Sequence, residues 1–374
     1  MKLERVDLIH VRLPLVAPFE TSLGRIAIKD AVLLRGAGEG LTGWSEVAAW
    51  FDPWYSYETI ETSLYVLEKY LVPAALSGDL RLITQLDPWP SVRGYPMAKA
   101  ALQALGLDML AQADGQSLAR WLGGTRELVA VGISLGIEGD VASLIARIEQ
   151  ALAEGYKRIK LKIRPGWDLD VVAAIRHRFG PDVVLSVDAN GAYRFSDAAR
   201  LSELDRFGLA MLEQPLQHDD LDDHAALATL LRTPICLDES VPSDSAVRRA
   251  LQLGSGSIIN IKHGRVGGPI AARAIHDTCV AAGVPVFCGG MLETGVGRAA
   301  NVALASLPGF TLPGDLSASR RYFHEDIVAP AFELEGDGYL RVPTGPGLGI
   351  TVDEARVRDH TVTARKISRH AVVA

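Results

Sequence analysis

Cysteine is scarce in this sequence: Cys236, Cys279 and Cys288 are the only three in 374 residues. An odd, low count without paired spacing excludes a disulfide framework and points to a reducing compartment. No Cys-x-x-Cys pair suggests a zinc site. There is no apolar run of the roughly 20 residues needed to span a bilayer. The start, Met1-Lys2-Leu3-Glu4-Arg5-Val6-Asp7, carries charges where a signal peptide needs an apolar core. Basic runs are missing as well. With 38 Lys+Arg against 45 Asp+Glu, the net charge is −7, which argues against nucleic-acid or anionic-membrane partners. Low-complexity segments and sequence-level repeats are also absent. A cytoplasmic location and a small-molecule substrate are expected.

The length exceeds one ordinary hydrophobic core and suits a barrel plus a smaller domain. Apolar residues at 48% and charged residues at 22% give the balance of a globular protein. Residues 1 to about 50 read as strands: Val6–Leu13 alternates in polarity, Pro18–Gly24 reads as a loop, and Ala31–Arg35 is a second strand. From Tyr57 to Gly123 the apolar spacing is helical, with Leu64, Leu67, Leu71, Leu102, Leu105 and Met109 on packed faces. Gly123-Gly124 closes that region.

Beyond Gly124 the rhythm changes. Short β-branched runs at Val129–Leu135, Arg158–Ile163, Val183–Ala189, Ala210–Glu213, Ile235–Leu237, Ile258–Ile261 and Pro285–Cys288 alternate with helical stretches such as Val141–Gly155, Asp168–Phe179 and Pro269–Ala282. That alternation predicts an α/β fold with a parallel sheet and helical crossovers, closed into a barrel. An eighth strand is expected near Gly309–Leu312. The tail from Pro330 is expected to return to the N-terminal domain.

Polar residues interrupt these strands in a pattern. Lys160 and Lys162, Asp188, Glu213, Asp238 and Lys262 each lie at the end of an apolar run, and the intervals from Lys162 onward are 26, 25, 25 and 24 residues. One βα unit has about that length, so these side chains converge at the C-terminal mouth of the barrel. Three carboxylates on consecutive strands repel each other unless a cation neutralises them. Oxygen ligands without His or Cys select Mg²⁺, or Mn²⁺. A single Asp there is ordinarily a helix cap, but three acids in register favour metal ligation. Lysines flank the trio before and after, and Lys160 and Lys162, two apart, share a face. A base on each side of a carbon, with a metal beside it, suits proton abstraction next to a carboxylate through an enediolate.

Several stretches then carry a resemblance. Ile159-Lys160-Leu161-Lys162-Ile163, Val187-Asp188-Ala189-Asn190, Glu213-Gln214-Pro215-Leu216, Leu237-Asp238-Glu239-Ser240 and Asn260-Ile261-Lys262 resemble the muconate-lactonising subgroup of the enolase superfamily. Cys288–Gly295 and Phe310–Ser319 resemble its N-acylamino acid racemase / o-succinylbenzoate synthase family, as do Val16-Ala17-Pro18-Phe19 and Pro343–Gly349. The resemblance implies a (β/α)₇β TIM-like barrel under an α+β capping domain. Residues 1–125 would cap, 126–329 would form the barrel, and 330–374 would pack back on the cap. It assigns Mg²⁺ to Asp188, Glu213 and Asp238, acid/base roles to Lys162 and Lys262, and electrostatic help to Lys160. Asn190 and Glu239 would stand beside these groups. Ser134, Gly290, Met291, Phe19 and the loop carrying Leu23 and Arg25 would contact substrate. Trp50, Phe51, Trp54 and Tyr55 would line either a lid over the site or a subunit contact, and a homo-oligomer is expected.

Four positions depart from the family pattern: Arg164 for an acid, His263 for a proline, Arg320 for an aspartate, and Ser45 for a glycine. None is an expected ligand or base. Racemisation of N-acyl, often N-succinyl, amino acids and dehydration to o-succinylbenzoate would use the same residues, so the site alone does not choose between them. Muconate cycloisomerisation suits Gly289-Gly290-Met291 less well. A phosphate-binding barrel using Gly254-Ser255-Gly256 or Gly264–Gly268 is the reading from another class, and no Lys-Ser/Thr follows either glycine run.

Overall fold

The computed structural model describes residues 1–369, so the last five positions of the expected C-terminal segment lie outside the described residues. The chain opens with three antiparallel strands, β1 (Arg5–Glu20), β2 (Arg25–Gly38) and β3 (Leu41–Val47). Helices α1 (Ile60–Val66), α2 (Val72–Ser77), α3 (Pro96–Ala113) and α4 (Leu118–Leu122) follow. Thr59 caps α1 through a reciprocal bond with Thr62, and Ser117 caps α4 before Gly123 ends it with φ 94°. The expected Pro18–Gly24 loop is shorter than the sequence suggested. The strand runs on to Glu20 past an irregularity in its pairing between Pro14 and Phe19.

Next comes a short strand β4 (Leu128–Ala130), then alternating strands and helices: β5 (Ile133–Leu135), α5 (Val141–Ala153), β6 (Ile159–Lys162), α6 (Leu169–Phe179), β7 (Leu185–Asp188) and α7 (Ala198–Ser202). The series continues through β8 (Leu212–Glu213), α8 (Leu221–Ala228), β9 (Ile235–Leu237), α9 (Asp244–Leu253), β10 (Ile258–Ile261), α10 (Pro269–Ala281), β11 (Val286–Cys288) and α11 (Gly295–Ala305). Strands β5 to β11 form one seven-stranded parallel sheet in sequence order. The eighth position is two isolated bridges rather than a strand: Phe310 pairs with Val286, and Gly314 pairs with Val131. These bridges join the two edges and close the barrel, with a (β/α)₇β count.

The single run read at Val129–Leu135 is two strands. β4 pairs with β14 (Tyr339–Arg341), reached after β12 (Val328–Ala329) and β13 (Leu334–Glu335), while β5 belongs to the barrel. Gly132 separates them where a Cβ would stand 2.8 Å from the Arg158 carbonyl oxygen. The tail then forms β15 (Thr351–Val352), α12 (Glu354–Asp359) and β16 (Thr361–Ser368). β16 pairs antiparallel with β1, completing a four-stranded sheet β16-β1-β2-β3.

Helix α3 is buried on nearly every side between this sheet and the barrel, so it shows no polar face. A Cβ on Gly43 would meet Met109 of α3 at 2.4 Å, so the β3–α3 contact requires glycine there. A second core fills the space between the antiparallel sheet and its helices, with Leu8, Val32, Leu34, Leu67, Leu71, Leu102 and Leu105 all buried. Among the described residues no helix is long and apolar enough to cross a membrane.

Candidate active site

The charged strand ends meet where the register places them. Lys162 pairs with Asp188, and Asp188 with Glu213, so these three stand in one row. Glu213 pairs with Cys236 rather than Asp238, so Asp238 lies two residues further along its strand. The equal spacing in sequence therefore does not give one height; the stagger of the barrel strands shifts the later residues upward. All of them are nonetheless buried, Asp188, Glu213 and Asp238 almost completely.

Each lysine is met by a carboxylate. Lys162 Nζ donates to Asp188 Oδ2 at 2.5 Å and to Asn190 Oδ1 at 2.7 Å. Lys262 Nζ donates to Asp238 Oδ2 at 2.7 Å. Lys160 Nζ lies 3.1 Å from Glu213 Oε2 and 3.2 Å from Asp188 Oδ2, and it also bonds Asp315. Burial alone would push Lys262 down, but Asp238, Tyr55 and Glu239 hold its ammonium well above the ordinary lysine range. Lys160 is likewise raised against its burial by Asp315, Glu213 and Asp188.

The acids divide. Burial would raise Asp188, yet Lys162 and Lys160 hold it well below the usual carboxylate range, and Lys262 and Arg265 do the same for Asp238. Burial and then the charge of Asp188 push Glu213 up to about 7. Burial, Asp238 and Asp188 push Glu239 up to about 8. Negative charge is thus crowded enough that two of the acids resist ionisation.

That crowding, and an all-oxygen donor set, fit a hard divalent cation. One position, now held by Lys160 Nζ, already touches both Asp188 and Glu213. As the side chains stand, no three Asp, Glu, His or Cys among the described residues share a ligating position, because Asp238 is turned to Lys262 and Arg265. The fit is in donor chemistry and in two of the three acids.

The backbone is strained around this mouth. Asn190, Gln214 and Leu292 are non-glycine residues with φ of 45°, 38° and 57°. Asn190 donates from its side chain to Glu239 at 2.8 Å and from its backbone to Asp188 at 3.0 Å. Gln214 Oε1 accepts from the Asp238 N–H at 3.0 Å and fixes the start of the next loop. Gly289 is a glycine because a Cβ there would collide with Asn260 Oδ1 at 2.2 Å and Lys262 Cε at 2.7 Å. Room for the Lys262 stem is the reason.

The other expected substrate contacts come from several elements. Ser134 sits beside Lys160 in register, and its buried hydroxyl has no partner. Met291 is buried in the loop after β11, and Gly290 lies where a Cβ would come within 2.7 Å of the Asp315 carbonyl oxygen. Phe19 is buried at the end of β1. The turn carrying Leu23 and Arg25 is anchored over the end of β7 by a 2.8 Å bond from Ser22 Oγ to the Ala189 carbonyl. Arg25 is exposed and lines an outer cavity of about 260 Å³ with Trp50, Phe51 and Trp54. That cavity is lined by residues of β2, Lys29 among them, and of the loop after β3, and neither Lys162 nor Lys262 lines it.

Four residues at the centre escaped sequence reasoning, and a fifth, Tyr55, was read only as lining a lid or a subunit contact. Tyr55, from the loop before α1, donates to Asp238 at 3.0 Å, accepts from Lys262 at 3.2 Å and places its ring 4.5 Å from the same ammonium. Arg265 pairs with Asp238 and donates to the Asn260 carbonyl at 2.6 Å. Asn260 donates to Glu213 at 2.9 Å. Arg158 and Asp315 form a buried pair at 2.6 Å beneath Lys160. The polar interruption Asn260 in Ile258–Ile261 was a readable signal. Tyr55 stood out only as an apolar surface residue, and its distance in sequence from the barrel hid its link to Lys262 and Asp238.

A closed parallel barrel, an antiparallel capping sheet completed by the chain's own tail, and charged side chains at successive strand ends define a barrel protein of the enolase type. The family model described as enolase C-terminal domain-like matches residues 143–356. The o-succinylbenzoate synthase of Geobacillus kaustophilus is 48% identical over 373 residues, covering 99% of each chain. An N-succinylamino acid racemase of Amycolatopsis sp is 50% identical over 351 residues, covering 94% of this chain and 95% of that one. The crystal structure of an enolase-superfamily member from Listeria innocua superposes with a TM-score of 0.93 at 41% identity, covering 99% of this chain and 100% of that one. This chain belongs to the enolase superfamily.

Proposed function

We propose that this enzyme racemises N-acyl amino acids, N-succinyl ones above all, by proton transfer between Lys162 and Lys262, and that the same site has o-succinylbenzoate synthase activity. The observation that carries the reading is that the two lysines come from β6 and β10, the second and sixth strands of an eight-position barrel, which face each other across its axis. Each is buried at the mouth, and each has its own carboxylate partner. One lysine takes the α-proton from one face of the substrate carbon and the other returns a proton to the opposite face, so the configuration inverts. In the synthase reaction Lys162 serves as both base and acid while Lys262 stays charged.

Asp188, Glu213 and Asp238 would hold Mg²⁺, or Mn²⁺. When bound it supplies positive charge against which the substrate carboxylate can accumulate a second negative charge. Lys160, held as an ammonium, adds to that charge. Asn190 orients Lys162 and links it to Glu239. Ser134, Gly290, Met291, Phe19 and the Leu23–Arg25 turn would line the remainder of the substrate. Residues 1–125 cap this mouth, 126–329 build it, and the C-terminal segment ties the two together.

The test is α-proton exchange in D₂O followed by NMR on N-succinyl-L-amino acids, with Mg²⁺ and then with EDTA. Metal-dependent racemisation that is lost in both Lys162→Ala and Lys262→Ala, with exchange from the L-substrate lost only in the variant missing the lysine that faces its α-proton, supports the proposal. No exchange from any acylated amino acid refutes racemisation and leaves the synthase assay to decide.

A further inference from the structure

Outside the catalytic centre lies a second cluster of buried charge, between the capping sheet and the loop after β11. Lys29 of β2 is 4% exposed, Glu46 of β3 is 3%, and Glu293 is 7%. Lys29 Nζ donates to the Met291 carbonyl at 3.3 Å and stands 3.9 Å from Glu46. Glu46 accepts from the Thr294 N–H at 3.0 Å, the Thr294 hydroxyl at 2.6 Å and the Gly297 N–H at 3.2 Å, so it holds the start of α11. Glu293 accepts from the Met291 N–H at 2.6 Å, and Arg298 donates to the Glu293 carbonyl at 2.9 Å.

The loop between Gly289 and Thr294 is therefore gripped from two sides. On the barrel side, Gly290 is pressed against the Asp315 backbone. On the capping side, Lys29 and Glu46 hold Met291 and Thr294. Between these grips Leu292 sits at φ 57°, a conformation that persists only where its surroundings impose it. Buried charges held in this way are costly to leave unpaired, so their retention at a loop beside the site needs a reason.

We propose that Lys29 and Glu46 are positioning residues for the substrate-recognition loop. By fixing the Met291 carbonyl and the entry to α11, the capping sheet sets the acyl group that the barrel accepts. The inference rests on the proposed reading of Gly290 and Met291 as substrate contacts in an N-acylamino acid racemase. It makes the capping domain part of acyl selection through the loop, in addition to any direct contact from the Leu23–Arg25 turn. Lys29 and Glu46 touch neither lysine base nor expected ligand, so the chemical step should be spared.

The experiment measures racemisation of N-succinyl- and N-acetyl-derivatives of one amino acid by the Mg²⁺-loaded full-length enzyme and its Lys29→Met, Glu46→Gln and Lys29→Met/Glu46→Gln variants. The expected result is a fall of about tenfold in the ratio of the two kcat/KM values, the size of one lost charged hydrogen bond, carried by KM while kcat changes less than about threefold. Lys29→Arg, which keeps a donor and the charge, should restore most of the ratio. Equal losses for both substrates, or none, would overturn the proposal, since a merely structural role lowers both together. If Lys29→Met alone fails to fold, the charge-neutral double variant and Glu46→Gln decide by the same ratio. Wild-type enzyme that acts on neither compound refutes the racemase reading itself and takes this inference down with it.

Discussion

Replacing Tyr55 with phenylalanine tests whether the capping domain reaches into the chemistry. The substitution removes one oxygen and two bonds, to Asp238 at 3.0 Å and from Lys262 at 3.2 Å, while leaving the ring 4.5 Å from the ammonium. A hydrogen bond involving a charged group is worth about 1.5–3 kcal/mol. The two losses do not add. Lys262 keeps Asp238 at 2.7 Å, and Asp238 keeps Arg265, so the net effect belongs at the low end, about 1.5 kcal/mol, or roughly tenfold in rate. The loss should fall on one face of the substrate only. In D₂O, exchange from the enantiomer whose α-proton faces Lys262 should slow about tenfold. Exchange from its mirror image, begun by Lys162, should stay within about threefold. The Lys262→Ala variant identifies which enantiomer is which, because it abolishes the affected exchange. Equal slowing of both enantiomers, or no slowing, would refute the idea that Tyr55 acts through Lys262.

Other outcomes follow from the buried charges. Asp315→Asn leaves Arg158 and Lys160 short of their common carboxylate, and it should cost about 3–5 kcal/mol of stability in urea unfolding; a loss below about 1 kcal/mol would mean that the neighbouring acids compensate. Asp108 on α3 is pushed up to about 6 by burial, against the N–H bonds it accepts from Trp44 and Leu348 at 2.8 Å. Its folded form therefore keeps a proton that the unfolded chain has lost, so its contribution is whole below the ordinary aspartate value of 3.8 and disappears as pH rises to about 6. Relative to Asp108→Asn, the wild type should lose unfolding free energy across that window, and parallel curves would contradict the assignment. EDTA should abolish activity while leaving far-UV circular dichroism unchanged, because the hydrophobic cores do not depend on the ligand carboxylates; a loss of helix signal would show the metal to be structural.

Much of this was legible because barrel chemistry is periodic. Spacings of about 25 residues carry strand ends to one mouth whatever lies between them, so Lys162, Asp188, Glu213 and Lys262 could be picked out as strand-end polar breaks in apolar runs. The eighth strand was hard to read for the opposite reason: Phe310 and Gly314 each make a single bridge, too short for any alternation to register. Val129–Leu135 looked like one strand because the residues of β4 and β5 share a composition, and only their partners distinguish them.

The sequence by itself determined the parallel barrel, the order of its polar strand ends and the kinds of ligand and base they could supply. These are local patterns repeated along the chain, and their physical basis is hydrophobic periodicity and residue chemistry. The tertiary structure alone decided which distant groups complete the site. Tyr55 meets Lys262 across 207 residues, Lys29 meets Met291 across 262, and Glu46 meets Thr294 across 248. Each comes from the antiparallel sheet or its loops, and each contact exists only because that domain packs over the mouth, a fact of packing that no spacing along the chain encodes.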